Sequence, residues 1–274
     1  MLRERVITAL VLLAILVPAM LAEPAWPFAA LTLLMIAAAG WEWGRLSALG
    51  PAGSLASGLA MGLLCAACGP WALAVVVPRE AWAMVSLAWV LLGALALRAG
   101  PAGYGQWPRV PRFVVGWVFI AMAWLALVAA KQHGLPFMLS VFVLVWVADI
   151  AAYFGGRQFG RRKLAPTVSP GKSWEGVWSG MAGVILAALL ARHFAAQGPW
   201  ADHLFNHLGR LGPAGGLALV GLVALAVMGD LCESLVKRSA GVKDSSALLP
   251  GHGGVLDRVD ALLPVFPAAL VLAA

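Results

Sequence analysis

The chain has 274 residues, 62% of them hydrophobic and only 11% charged, with a formal net charge of +7 and a mean hydropathy of +0.90. That is more apolar surface than one globular core can hide, so lipid is the expected solvent and a soluble fold is excluded. Nucleic-acid binding is excluded with it, because no soluble domain carries the positive charge.

Apolar runs suited to spanning a bilayer, about 20 residues each, fall in chain order near 6–22, 26–43, 54–77, 81–97, 113–130, 136–156, 175–191, 213–236 and 254–274. The expected fold is all-α, a polytopic integral membrane protein of about nine transmembrane helices. The first run, with Arg3 and Arg5 ahead of it and Ala22 near its end, has the outline of a secretory signal peptide, but eight later spans favour an uncleaved anchor. With the N-terminus in the cytoplasm, 15 of the 19 Lys and Arg lie on that side and four, Arg79, Lys131, Arg192 and Arg210, lie outside. This bias sets the orientation, and the expected location is a bacterial-type inner membrane with the functional site facing the cytoplasm. A basic cytoplasmic face suits anionic lipid headgroups and phosphorylated solutes.

Residues 1–134 read as an N-terminal set of membrane helices, a scaffold for dimerisation and lipid contact. Residues 135–274 read as the catalytic membrane region. In the first part, Cys65 and Cys68 form a C-x-x-C within an apolar run, where small-residue helix packing explains them better than redox chemistry. Glu42 is expected to pair with Arg45, three residues on, near the membrane surface. Gly and Pro break the helix in RAGPAGYGQWPRVPR, residues 98–112.

Polar chemistry is confined to two cytoplasmic segments, 149–176 and 229–260. Each begins with an acid, Asp149 or Asp230, inside an apolar run, and an intramembrane carboxylate is a functional-site hypothesis by default. The first segment carries Arg157, Arg161, Arg162, Lys163 and Lys172 among turn-forming glycines and prolines, followed by Ser173 and Trp174. On the outer side, His203 and His207 have the i,i+4 spacing of metal ligands, but without a nearby carboxylate to complete a metalloprotease motif a short amphipathic surface helix is the expectation.

In the second segment Asp230, Glu233, Ser234 and Lys237 recur on one helical face. Asp257 and Asp260 are also three apart, in the first turns of a helix expected after Gly253 and Gly254. Acids there can simply complement the helix N-terminus. Two aspartates from one helix and one from another also make the hard oxygen donor set that Mg²⁺ prefers, usually completed by water and substrate phosphates. Between them PGHGG, residues 250–254, offers backbone amides that can cradle phosphate oxygens. His252 there orients a phosphate, transfers a proton or caps the turn, three readings that stay open.

Ser234-Leu-Val-Lys237-Arg238, Lys243-Asp244 and Pro250-Gly-His252-Gly253-Gly254-Val-Leu-Asp257-Arg258-Val-Asp260 together resemble the C-terminal signature of the phosphatidate cytidylyltransferases, over the 27 residues from Ser234 to Asp260. Asp149-x-x-Ala-Tyr153-x-x-Gly156-Arg157-x-Phe159-Gly160 and Ser169-Pro170-x-Lys172-Ser173-Trp174-Glu175-Gly176 are similar to that family's other motifs. The resemblance implies an enzyme that joins CTP to phosphatidate in phospholipid biosynthesis, forming CDP-diacylglycerol and pyrophosphate. It further implies Mg²⁺, with K⁺ as a second ion, held by Asp230 and Asp257, and a homodimer. Gly171 departs from the pattern, standing where the family commonly has a basic or amide side chain.

On this reading Asp230, Asp257 and Asp260 are the metal set, and Asp230, Lys243, His252 and Asp257 are the catalytic groups. The substrate-binding set is Lys172, Ser173, Ser234, Lys237, Arg238, Gly253, Gly254 and Arg258. Two rivals are an enzyme resembling the CDP-alcohol phosphotransferases, whose Asp-Gly…Ala-Arg…Gly…Asp-x-x-x-Asp run is absent, and an ion-coupled transporter, whose acids belong near the midplane rather than at one edge.

Overall fold

The structure, a computed structural model, describes residues 2–74 and 77–273. It is built of helices: α1 (Leu2–Leu21), α2 (Trp26–Leu46), α3 (Gly50–Ala74), α4 (Arg79–Gly105), α5 (Arg109–His133), α6 (Leu135–Phe159), α7 (Trp174–Phe194), α8 (Leu204–Arg210), α9 (Pro213–Ser239), α10 (Leu256–Val259) and α11 (Leu262–Val271). One antiparallel hairpin, β1 (Lys163–Ala165) and β2 (Ser169–Ser173), joins α6 to α7.

Among the described residues six helices are long and apolar enough to cross a membrane, within α3 and along α4, α5, α6, α7 and α9. The molecule is therefore a polytopic helical membrane protein, with fewer qualifying spans than the nine expected. The third expected span, 54–77, runs onto residues 75 and 76, outside the described set. The last, 254–274, divides into α10, of four residues, and α11, of ten. Ten residues rise about 15 Å, half of a hydrocarbon core of about 30 Å. Their apolarity has another cause: every position from Leu263 to Leu270 is buried against other helices.

Small residues let the helices approach closely. A Cβ on Gly180 would stand 2.8 Å from the Ala148 carbonyl oxygen, and one on Gly176 2.9 Å from that of Ala152, so α7 lies directly against α6. Gly58 seats α3 on α2 in the same way, 2.8 Å from the Ala37 carbonyl oxygen. At the far end from the hairpin, the Lys131 ammonium donates to the carbonyls of Met20 (2.7 Å) and Ala22 (2.8 Å), closing the C-terminal turn of α1. Nearby, α8 buries Leu204, Phe205 and Leu208. Its His203 caps the helix by accepting the Asn206 amide (3.2 Å), while His207 meets Asp202 at 2.7 Å. The two imidazoles thus have separate structural partners.

The hairpin is pinned to the start of α7. Glu175 accepts the backbone amides of Arg161 (3.0 Å) and Arg162 (3.1 Å), and Ser173 caps α7 by accepting the Gly176 amide at 3.2 Å. Val168, at the turn, is 3% exposed. These contacts fix the strand that carries Lys172.

Candidate active site

A cavity of about 520 Å³ opens between α6, α7, α9, β2 and the α10 segment. Four carboxylates line it: Asp149 from α6, Asp230 from α9, and Asp257 and Asp260 from α10 and the residue after it. Lys172, Arg157, Arg258 and Ser173 line it too. Acids and bases separated by more than 100 residues of sequence thus share one volume.

Asp230 sits where α9 is still apolar around it. Its Oδ2 is 2.5 Å from the Lys172 ammonium, and its Oδ1 accepts the Ser234 hydroxyl at 3.3 Å, one helical turn on. Asp260 follows α10 and accepts the Ala261 amide on Oδ1 at 2.7 Å. Burial, and after it the neighbouring Asp230 carboxylate, push Asp260 well above the usual carboxylate range. Such a group gains from any cation that enters.

Asp257 is held differently. Its Oδ1 meets the Lys237 ammonium at 2.5 Å, and its Oδ2 accepts the Gly254 amide (2.8 Å), the Ser245 amide (2.9 Å) and the Ser245 hydroxyl (2.8 Å). Burial alone would raise its pKa, but the bonds from Lys237, the Gly254 amide and Ser245 outweigh burial and hold it at about 2. Lys237 is also ion-paired with Glu233, so one ammonium serves two buried carboxylates.

The loop that precedes α10 is organised from a distant helix. Glu42, fully buried in α2, accepts the amides of Val255 (2.9 Å) and Leu256 (2.7 Å) and the hydroxyls of Ser245 (3.1 Å) and Ser246 (2.6 Å). This corrects the expected Glu42–Arg45 pair: among the described residues no ion pair joins them, and the Arg45 guanidinium instead lies 4.9 Å above the Trp41 ring. The four donors offset the cost of taking this carboxylate out of water. Gly254 must be glycine here, since a Cβ would lie 2.0 Å from Ser245 Oγ and 2.3 Å from Glu42 Oε1.

Of the residues anticipated from sequence, Asp230, Asp257, Asp260, Lys172, Ser173 and Arg258 line the cavity. Lys237 and Gly254 act on it through Asp257, and Ser234 through Asp230. Lys243 is exposed and outside the lining, and His252 meets the Pro250 carbonyl at 3.4 Å while its own carbonyl accepts Arg258 Nε at 2.9 Å. Arg238 donates to the carbonyls of Val168 (3.4 Å) and Val242 (3.1 Å), bracing the hairpin turn against the loop. Gly253 takes φ +83° and closes a turn in which its carbonyl accepts the Leu249 amide at 2.8 Å. Asp149 and Glu42 are the additions. The acid inside an apolar run signalled Asp149, whereas no local feature of the sequence signals the role of Glu42.

These features define a class: a membrane-embedded helical protein that gathers acids and bases around one polar cavity beside a braced hairpin. Residues 3–274 match the model of the cytidylyltransferase family. The chain is 41% identical over 279 aligned residues to a phosphatidate cytidylyltransferase of Pseudomonas aeruginosa, covering 98% of this chain and 97% of that protein. It is 52% identical over 135 residues to a phosphatidate cytidylyltransferase of Haemophilus influenzae, covering 49% and 44% of the two chains, and 43% identical over 158 residues to one of Brucella suis, covering 57% and 53%. The chain belongs to the cytidylyltransferase family.

Proposed function

We propose that the chain is a phosphatidate cytidylyltransferase, converting CTP and phosphatidate to CDP-diacylglycerol and pyrophosphate with its site on the cytoplasmic face of a bacterial inner membrane. A phosphate oxygen of phosphatidate forms a bond to the α-phosphorus of CTP as the bond from that phosphorus to the bridging oxygen breaks, and pyrophosphate departs. The observation that carries this reading is the shared cavity, in which Asp149, Asp230, Asp257 and Asp260 face Lys172, Arg157 and Arg258. A cavity of both signs suits a polyanionic substrate and its counter-cation together.

The donor set fits Mg²⁺ in kind: hard carboxylate oxygens from α9 and the α10 segment, with room for water and phosphate oxygens. Among the described residues no group of three or more His, Cys, Asp or Glu is arranged to hold a metal ion by itself, so water and substrate oxygens would have to complete the shell of an ion held by one or two of these carboxylates. Asp230 and Asp257 would hold it, with Asp260 beside them. Bound there, Mg²⁺ supplies charge neutralisation for the triphosphate and for the oxygen that leaves. A second, monovalent ion such as K⁺ belongs to the same proposal.

The chain's own residues do the positioning. Lys172, whose ammonium meets Asp230 at 2.5 Å, would also offer a donor to a phosphate oxygen in the cavity. Arg157 and Arg258 present guanidinium groups to further phosphate oxygens. Asp257 stays ionised through its four donors. No strong general base is needed, because the attacking phosphate is already anionic at neutral pH. The lipid keeps its chains in the bilayer while its headgroup reaches the cavity, and the working unit is a homodimer.

Detergent-purified protein given labelled CTP, dioleoyl phosphatidate and Mg²⁺ is expected to produce a lipid-soluble label and one pyrophosphate per turnover. Folded protein that yields neither would reject the assignment.

A further inference from the structure

Lys172 reaches the polar cavity from an irregular strand. In the hairpin Lys163 pairs with Ser173 and Ala165 with Ser169, so the register slips and β2 carries Pro170, Gly171 and Lys172 opposite the single Leu164. An irregularity of this kind re-aims a side chain and leaves part of the ladder unmade. Here the ammonium meets Asp230 at 2.5 Å, while the register gives Lys172 no partner of its own on β1. Its direction therefore depends on what fixes the ends of β2.

The C-terminal end of β2 is fixed by Glu175, which is not part of the cavity lining. Its side chain reaches the segment between α6 and β1: Oε2 accepts the backbone amides of Arg161 at 3.0 Å and Arg162 at 3.1 Å, and Oε1 takes the latter again at 3.3 Å. The Arg162 carbonyl in return accepts the Trp174 amide at 2.9 Å, so the two ends of the hairpin are tied from both sides. Ser173 completes the junction, because its hydroxyl caps α7 on the Gly176 amide at 3.2 Å and lies 2.8 Å from where a Cβ on Gly160 would stand. An acid in the first turn of a helix ordinarily complements the helix dipole, where its charge is what counts. Glu175 has a further task, since one of its oxygens satisfies two amides of another segment.

We propose that Glu175 is a positioning residue for the reaction, holding β2 so that Lys172 points into the cavity. The role of Lys172 rests on the phosphatidate cytidylyltransferase reading, whereas the hold on β2 can be measured without turnover. Position 175 then requires an acceptor at the right reach rather than a charge. In Glu175→Gln a carbonyl oxygen in the place of Oε2 keeps both amides, and in Glu175→Asp a carboxylate one methylene shorter does not reach them. A dipole role ranks the two variants in the opposite order.

The test compares Glu175→Gln, Glu175→Asp and Glu175→Ala in the detergent-purified full chain, each with wild-type helicity by circular dichroism. Hydrogen–deuterium exchange read by mass spectrometry should show faster uptake across the hairpin in Glu175→Asp and Glu175→Ala, wild-type uptake in Glu175→Gln, and no change in α9. Turnover of CTP and dioleoyl phosphatidate should fall about ten- to hundredfold in Glu175→Asp and Glu175→Ala, the range for a misplaced group, and stay within about threefold of wild type in Glu175→Gln. In a Lys172→Met background Glu175→Ala should cost nothing further, because the two residues act through one group. Unchanged hairpin exchange in folded Glu175→Ala would overturn the proposal, as would turnover retained by Glu175→Asp and lost by Glu175→Gln. Losses that multiply with those of Lys172→Met would overturn it too. A folded wild type without turnover would instead reject the reaction, and the exchange measurement would still decide whether Glu175 holds β2.

Discussion

Glu42 accepts the backbone amide of Leu256 at 2.7 Å across 214 residues of sequence. The same carboxylate takes the Ser245 hydroxyl at 3.1 Å, and that hydroxyl also lies 2.8 Å from Asp257. A residue of α2 thereby sets the position of an acid in the polar cavity.

Replacing Glu42 with Gln keeps the volume but turns one acceptor into a donor facing donors. Hydrogen bonds to charged groups contribute about 1.5–3 kcal/mol, and leaving buried donors unmet adds to the loss. Glu42→Gln is expected to lower stability by roughly 2–3 kcal/mol in chemical unfolding from micelles and to reduce turnover at least tenfold. Wild-type turnover in this variant would show that the network does not position Asp257.

Gly254→Ala is expected to act in the same direction, because its methyl group collides with Ser245 and Glu42. Gly171→Ala, in the hairpin beside Lys172, meets nothing within 4 Å and should stay within about 0.5 kcal/mol of wild type. Parallel melting curves and turnover assays distinguish a steric effect from general sensitivity of glycines.

Lys237→Met leaves Glu233 and Asp257 buried without their common cation. Breaking a buried pair by removing one partner typically costs about 3–5 kcal/mol. A Glu233→Gln/Lys237→Met double variant should recover part of that loss, since it removes one of the two carboxyl groups left without the ammonium. A double variant no more stable than Lys237→Met alone would contradict the shared-ammonium arrangement.

In metal-free protein Asp257 has a folded-state pKa of about 2 against an ordinary 3.8. A depressed carboxylate pKa contributes stability that is present above the unfolded value and disappears as pH falls through the folded value. Acid unfolding in the presence of EDTA should therefore show wild type losing stability between about pH 4 and pH 2 more steeply than Asp257→Asn. Identical slopes would count against the four-donor environment.

The sequence was most legible where the chemistry is local. Asp230 and Ser234 are one helical turn apart, and Asp257 and Asp260 nearly so, so periodicity alone placed each pair on a common face. Asp149 was conspicuous as an acid in an apolar run. Glu42 was illegible because its four donors come from a loop more than 200 residues away, and a nearby arginine offered a plausible local partner. Lys243 and His252 are suggested by residue type alone; in the structure the first is exposed and the carbonyl of the second accepts Arg258 Nε. Hydropathy overcounted the C-terminal span because a ten-residue helix buried from Leu263 to Leu270 is as apolar as a lipid-facing one.

The claim on which the rest depends is that carboxylates from α9 and the α10 segment serve one cation. Mn²⁺ titration followed by electron paramagnetic resonance, on the detergent-purified chain without substrate, tests it directly. The account expects one saturable site in wild type, weakened at least tenfold by Asp230→Asn and by Asp257→Asn individually. Binding that is unchanged in both folded variants would contradict it.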